Sequence, residues 1–251
     1  MSTSPAAPFN ARAALGAAWP LFQRSWPTCL PLALVGVAAS AVPGAEAVSS
    51  GETHGFSHSP QWWALYAACM TLMLLSYGAV LLRQLSLAAG QPLPLREALQ
   101  RAVFRLPAAA ATMVLVTLAV VVGGVLLVVP GLLALVYFAC AWHVVLWEGR
   151  DPVAALARSI ALTRGRAMAF VGVLAAALAA VLVFVMLTGI LLGVVMSLAG
   201  IQPVAGDGNL GVARLIYAVV LAIPVVWLGA VSAVTYRWAS GRASGLASGQ
   251  P

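Results

Sequence analysis

Long apolar runs, separated by short polar stretches that carry arginine, make up almost the whole chain. A helix rises about 1.5 Å per residue, so roughly 20 apolar residues cross the hydrocarbon core of a bilayer. Six runs of that size predict six membrane helices: Cys29 to Ala47, Trp62 to Leu82, Ala108 to Val129, Gly131 to Trp147, Ala167 to Leu198 and Leu215 to Tyr236. Between Pro107 and Trp147 only Pro130-Gly131 interrupts the apolar pattern. A single helix there would be about 60 Å long, twice the hydrocarbon thickness. The spacing therefore predicts a tight hairpin with Pro130 and Gly131 at its turn. The run Ala167 to Leu198 exceeds what one crossing needs, which predicts tilt, a kink near Gly189 or continuation past the membrane face.

Each pair of runs follows a short basic stretch: NARAALGAAWPLFQRSW, LPLREALQRAVFRLP and DPVAALARSIALTRGR. Aligned on Leu15, Leu99 and Leu156, all three contain Ala-Leu with arginine near the end, which suggests three copies of a helix-plus-hairpin unit. In the second, Leu95, Ala98, Leu99, Ala102 and Leu106 share a face opposite Arg96, Glu97, Gln100 and Arg101. Such a helix is expected to lie in the membrane interface. In the third, Asp151 is placed to cap and Pro152 fits the first turn, with Val153, Leu156 and Ile160 on one side and Leu162 breaking the pattern. The first contains Pro20, expected to kink or end it. The expected fold class is all-α: a polytopic transmembrane bundle of six spans as three hairpins, each preceded by a cytoplasmic interfacial amphipathic helix. Residues 1–26 form the N-terminal interfacial segment, 27–238 one membrane domain, and 239–251, rich in Gly, Ser and Ala, a disordered tail.

Composition agrees: the 251 residues are 63% hydrophobic and only 8% charged. A net charge of +7 would suggest nucleic acid in a soluble protein, but here it is sorted along the chain. All thirteen basic residues are arginine, and twelve fall into four clusters with room for two crossings between successive clusters. By the positive-inside rule every cluster faces the cytoplasm, as do both termini. That assignment puts +9 inside and −2, from Arg214 against Glu46, Glu52 and Asp207, outside. Nucleic acid is thereby set aside as a partner. The Arg-only, Ala-rich usage is that of a GC-rich bacterial genome, and the expected location is the inner (plasma) membrane. Ala39-Ser40-Ala41 has the look of a signal-peptidase site, but Trp19, Phe22 and Trp26 before it fit an interfacial helix, so the first span is expected to be retained. Cys29, Cys69 and Cys140 lie in or beside apolar runs and read as small buried residues, without a disulfide pattern.

From Leu126 to Leu174 an apolar run reaches Pro130-Gly131, and a second ends at Val145-Leu146 before the Glu148-Gly149-Arg150 turn. Ala155-Leu156, Ser159, Leu162-Thr163 and a basic exit follow. This order resembles the YciC-like bacterial inner-membrane proteins and, more loosely, the membrane domain of some glycerophosphodiester phosphodiesterases. The resemblance is dense over about fifty residues and implies a six-span inner-membrane protein without an assigned reaction. It carries over no catalytic residue, and the soluble phosphodiesterase barrel has no counterpart in this chain. By analogy alone it favours work near lipid headgroups.

Candidate sites are few. His143 is the one ionisable side chain well inside a predicted span, a functional candidate on that ground; near Trp142 and Trp147 it also fits an aromatic belt at the membrane edge. Arg96, Arg101, Arg105, Arg158, Arg164 and Arg166 are candidates for anionic lipid headgroups, each worth on the order of 1 kcal/mol near an anionic surface. The same residues would serve topology with no ligand at all. Gly189 and Gly193 form a GxxxG that permits close helix packing, within the bundle or against a second copy. Arg214 has Asp207 as a potential outer partner. Glu52, His54 and His58 have zinc-type donors in a loop too rich in Gly, Ser and Pro to fix a helical face, so no metal is expected. Gly206 to Gly211 matches GxGxxG without the preceding strand that dinucleotide binding requires. Apart from Glu46 at the outer end of the first, no span carries an Asp, Glu or Lys, no nucleophile-and-base pair appears, and no cofactor is implied. The expected protein is non-enzymatic, with membrane lipids as partners and either a second copy or other inner-membrane proteins as further ones. The alternative is a transporter, exporter or permeation subunit for a small molecule or lipid.

Overall fold

The computed structural model describes residues 10–49, 59–198 and 209–241, the side chains of 41–49, 126, 128–129 and 209–218 excepted. Among them there is no strand. In chain order the elements are α1 (Ala11–Ser49), α2 (Pro60–Ala88), α3 (Leu95–Leu126), α4 (Val128–Tyr137), α5 (Ala141–His143) running into a π-helical turn (Val144–Glu148), α6 (Pro152–Thr163), α7 (Ala167–Leu198) and α8 (Asn209–Ala239). Among the described residues five stretches are helical, long and apolar enough to cross a membrane: Pro60–Ala88, Leu95–Val125, Pro130–Glu148, Ala167–Leu198 and Val219–Ala239. These are the helices of a multi-pass membrane protein. The run expected from Cys29 to Ala47 lies within α1, partly beyond its described side chains.

Local chemistry sets the helix starts. Ser59 accepts a bond from the Trp62 amide at 3.2 Å with Pro60 following it, and Asp151 accepts from the Ala154 amide at 3.1 Å with Pro152 following. The three basic stretches then diverge. The first two do not form separate helices, because α1 runs on through Pro20, Pro27 and Pro31 and α3 through Pro107. A proline removes one donor and frees one carbonyl, but where water is scarce, leaving the helix would free many more groups. In α1 the Ser25 and Thr28 hydroxyls bond back to the Phe22 and Ser25 carbonyls, so neither is left without a partner in the span. Only the third stretch is a helix of its own, α6, closed by Gly165 at φ +78°, a conformation costly for any side chain.

The reversal after α3 is tighter than a loop. It falls at Leu127, extended at φ −165° and ψ 147°. Pro130 and Gly131 are therefore not the turn; they lie in the first turn of α4, where proline is readily accommodated. Gly131 instead permits contact, since a Cβ there would sit 2.8 Å from the Gly124 nitrogen and one on Gly123 2.9 Å from the Gly131 nitrogen. From this point the chain returns antiparallel to α3, and Arg105 meets Leu146.

The tightest packing is among α1, α2 and α8. Ala14, Ala18, Ala33, Ala79, Ala222, Ala230 and Ala233 are all fully buried, so small side chains let the backbones approach. Gly36 lies against the Tyr77 ring, 2.6 Å from where a Cβ would be. By contrast α7 is apolar on every side and largely exposed, with Leu182, Met186, Leu187 and Ile190 outward. That pattern suits a helix bathed in lipid. Gly189 and Gly193 are on this open surface with no atom within 4 Å of a built Cβ, so they do not pack within the chain.

Candidate functional site

The helix that begins at Val128 is broken near its middle, between Tyr137 and Ala141. After Tyr137 the amides change partner: Ala139 donates to Val136 at 3.3 Å and Ala141 to Phe138 at 2.9 Å. The Tyr137 carbonyl and the Cys140 amide are thereby left out of the helical ladder. Ser159 of α6 takes up both. Its hydroxyl donates to the Tyr137 carbonyl at 2.7 Å and accepts from the Cys140 amide at 3.1 Å. Thr163, one turn on, lies 3.4 Å from the same carbonyl and donates to the Ser159 carbonyl at 2.8 Å. Both residues are fully buried. Thus α6 packs through Ala155, Ser159, Leu162 and Thr163, whereas of Val153, Leu156 and Ile160, expected to share one side, the first and last are exposed and Leu156 is half-buried. Leu162, which breaks the pattern of that side, belongs to the inward one.

Beyond the break comes the π-helical turn, whose end is closed from α3. Arg105 donates to the Leu146 carbonyl and, at 3.5 Å, approaches that of Val145. A guanidinium at a helix C-terminus satisfies orphan carbonyls and opposes their negative potential. Gly149, at φ +70°, makes room, since a Cβ would lie 2.8 Å from Arg105 Nη2. Glu148 then turns inward, its side chain only 10% exposed. It accepts from the Tyr236 hydroxyl at 2.8 Å and from Arg150 Nε at 2.9 Å, with Arg158 Nε 3.8 Å away. Arg166, at the start of α7, donates to the Ala239 carbonyl at 2.9 Å and lies 5.1 Å over the Trp238 ring. A polar cavity of about 590 Å³ opens beside this knot, lined by Gln91, Glu148, Arg150, Tyr236 and Arg237 among others. Deeper, Gln84 is fully buried against Gly229 and donates to the Val226 carbonyl at 2.8 Å and Ser25 Oγ at 3.3 Å, tying α2 to α8 and α1.

These contacts bring the end of α2, the start of α3, the π turn, α6, the start of α7 and the end of α8 to one end of the bundle. The arginines expected to contact lipid divide there. Arg105, Arg158 and Arg166 are drawn into contacts within the chain. Arg101 forms a 2.6 Å pair with Glu97 on an exposed face. Arg96 and Arg164 are exposed, with no ion pair among the described residues.

His143 sits on the wall of the broken helix, 6% exposed, with its ring stacked on Tyr236 at 5.3 Å between centroids. It is a buried residue, not one of an aromatic belt at the surface. The roles of Glu148, Tyr236, Gln84 and Ser159 are absent from the sequence reading. One signal for the last was available: Ala155, Ser159, Leu162 and Thr163 recur at helical spacing as a small, weakly polar face. Glu52, His54, His58 and Gly206 to Gly208 lie outside the described residues, as does the Arg214 side chain. Among the described residues no three His, Cys, Asp or Glu side chains come together.

No family model matches the chain, and no curated protein or solved structure shows significant similarity to it.

Proposed function

We propose that the chain is a non-enzymatic, multi-pass protein of a bacterial inner membrane, with six spans as three hairpins and both termini cytoplasmic, whose arginine-rich face contacts anionic lipid headgroups. One observation carries this reading: Arg105, Arg150, Arg158, Arg166 and Arg237 converge on one end of an otherwise apolar bundle, and Arg96, Arg101 and Arg164 stay exposed beside them. The apolar Val153 and Ile160 on the outer side of α6 fit a helix lying in the interface. The resemblance to the YciC-like proteins agrees with this proposal and assigns no reaction. A second copy of the chain, or another inner-membrane protein, is the partner the open α7 surface suits.

The test replaces Arg96, Arg101 and Arg164 with Gln. Arg105 is left alone because its loss would open the π turn. The variant should insert normally yet retain several-fold less phosphatidylglycerol on purification, the difference fading at high salt. Equal retention by correctly inserted protein would reduce the arginines to a topology signal.

The interrupted helix favours a second reading, a transport or permeation subunit, since broken membrane helices commonly line substrate sites. Its measure is movement of a fluorescent lipid between the leaflets of reconstituted vesicles. Rates equal to those of protein-free vesicles would remove lipid translocation.

A further inference from the structure

Among the described residues, neither ring nitrogen of His143 has a well-formed hydrogen bond. The Ala139 carbonyl, one turn earlier, approaches the ring but neither nitrogen completes a bond in acceptable geometry. A buried imidazole left so is costly unless something else supplies a partner. The ring also borders empty space on two sides. One cavity, about 330 Å³, is walled by Phe138, Phe170 and Val173, with His143, Ser232 and Thr235 as its polar residues. Another, about 400 Å³, lies toward Tyr77 and Trp142 and shares His143, Leu228 and Ser232 with the first. The rim residues Leu135, Leu174 and Leu228 are exposed on the flank of the bundle, so the first cavity opens sideways.

The chemistry of the walls selects the occupant. Neither cavity is lined by a charged side chain, so an ionised headgroup would lie there uncompensated. Ser232 donates its proton to the Gly229 carbonyl and Thr235 to that of Val231, both at 2.8 Å, and each keeps only acceptor capacity. A neutral imidazole offers one donor and one acceptor, whichever nitrogen carries the proton. A hydroxyl, which both donates and accepts, completes this set once a small shift of the ring turns a nitrogen, now covered, toward the cavity. His143 is five residues before Glu148, roughly 7 Å deeper along a helix, about where the bilayer passes from headgroups to hydrocarbon.

We propose that this lateral cavity binds an uncharged, lipid-soluble alcohol, its hydroxyl on His143 and its apolar chain against Phe138, Phe170 and Val173. The inference rests on the helices spanning a membrane, and it is independent of the arginine face.

The probe is hexadecanol with a photoactivatable diazirine on its chain, applied to the full chain in nanodiscs, with the phosphate monoester of the same alcohol as comparison. The alcohol should label the segments 135–143 and 228–235, compete with unlabelled hexadecanol, and lose about fivefold to tenfold of that labelling in His143→Phe, as expected for one buried hydrogen bond. Val173→Phe, which fills the cavity, should abolish it and decides the matter if His143→Phe does not fold. The phosphate ester should not label these segments. Equal labelling by the ester, or labelling unchanged by filling the cavity, would overturn the proposal. Labelling that persists in the triple Gln variant at high salt while phosphatidylglycerol retention does not change would remove the headgroup reading and leave this one standing.

Discussion

Two regions begin from the same kind of sequence and end differently. In α3 a basic amphipathic stretch continues without a break into an apolar helix, through Pro107. In α6 and α7 a similar stretch stops at Thr163, turns through Arg164, Gly165 and Arg166, and starts again at Ala167. The strong helix breaker is therefore in the stretch that does not break. What differs is the duty of the inward face. Ala98 and Ala102 of α3 present only small apolar surface, whereas Ser159 and Thr163 of α6 hold two backbone groups of another helix. A helix with that task has to be placed independently of the span that follows it. Proline is tolerated when nothing else competes for the freed carbonyl; a break persists when a neighbour satisfies both of its ends.

The largest expected effect follows from removing that neighbour. Ser159→Ala leaves the Cys140 amide unpaired and the Tyr137 carbonyl with only the longer, 3.4 Å contact from Thr163, at about 1–3 kcal/mol for each buried group so weakened. Thermal unfolding in detergent should show a loss of roughly 2–5 kcal/mol, with hydrogen exchange rising first around residues 137–143. A loss below that of an exposed serine would mean the staple is not needed.

Next is the knot at the end of the bundle. Tyr236→Phe removes one bond to a carboxylate, worth about 1.5–3 kcal/mol. It should cost more than Arg150→Gln, whose ion pair is half exposed and contributes under about 1 kcal/mol. The reverse order, read from the same melting curves, would place the strength of the knot at its rim.

Smaller still is the junction itself. Gly165→Ala puts a side chain at φ +78° with open space around it, so only backbone strain acts, about 1–2 kcal/mol. Pro107→Ala in α3 should leave the helix as it is and be neutral or mildly stabilising. If Pro107→Ala instead unfolded the protein, the proline would be shaping α3 and the contrast with α6 would fail.

How much of this was legible in the sequence follows from which forces act locally. The apolar runs and the sorting of the arginines are set by transfer to hydrocarbon and by insertion, and both leave periodic, one-dimensional marks. Five of the six expected crossings coincide with membrane-length helices. The turn was displaced from Pro130-Gly131 to Leu127 because proline and glycine there serve a helix start and a close backbone contact. Glu148 reads as a solvent turn beside Gly149 and Arg150, and only the return of α8 from far along the chain gives it Tyr236 as a partner. Gln84, in a run that otherwise looks like a span ending in arginine, becomes a buried tie between helices for the same reason. Arg105, Arg158 and Arg166 carry the charge that sorts them to one side, but nothing along the chain distinguishes an arginine that faces lipid from one that closes a helix end.

The account stands on α3 being one full crossing that separates its distal reversal from the arginine-bearing end where α6 meets α7. In a chain lacking Cys29, Cys69 and Cys140, single substitutions Leu127→Cys and Gly165→Cys put thiols at two exposed positions. A membrane-impermeant maleimide added to intact spheroplasts should label position 127 and spare position 165, and added to inverted vesicles it should do the opposite. Labelling of both positions from the same side would contradict the account.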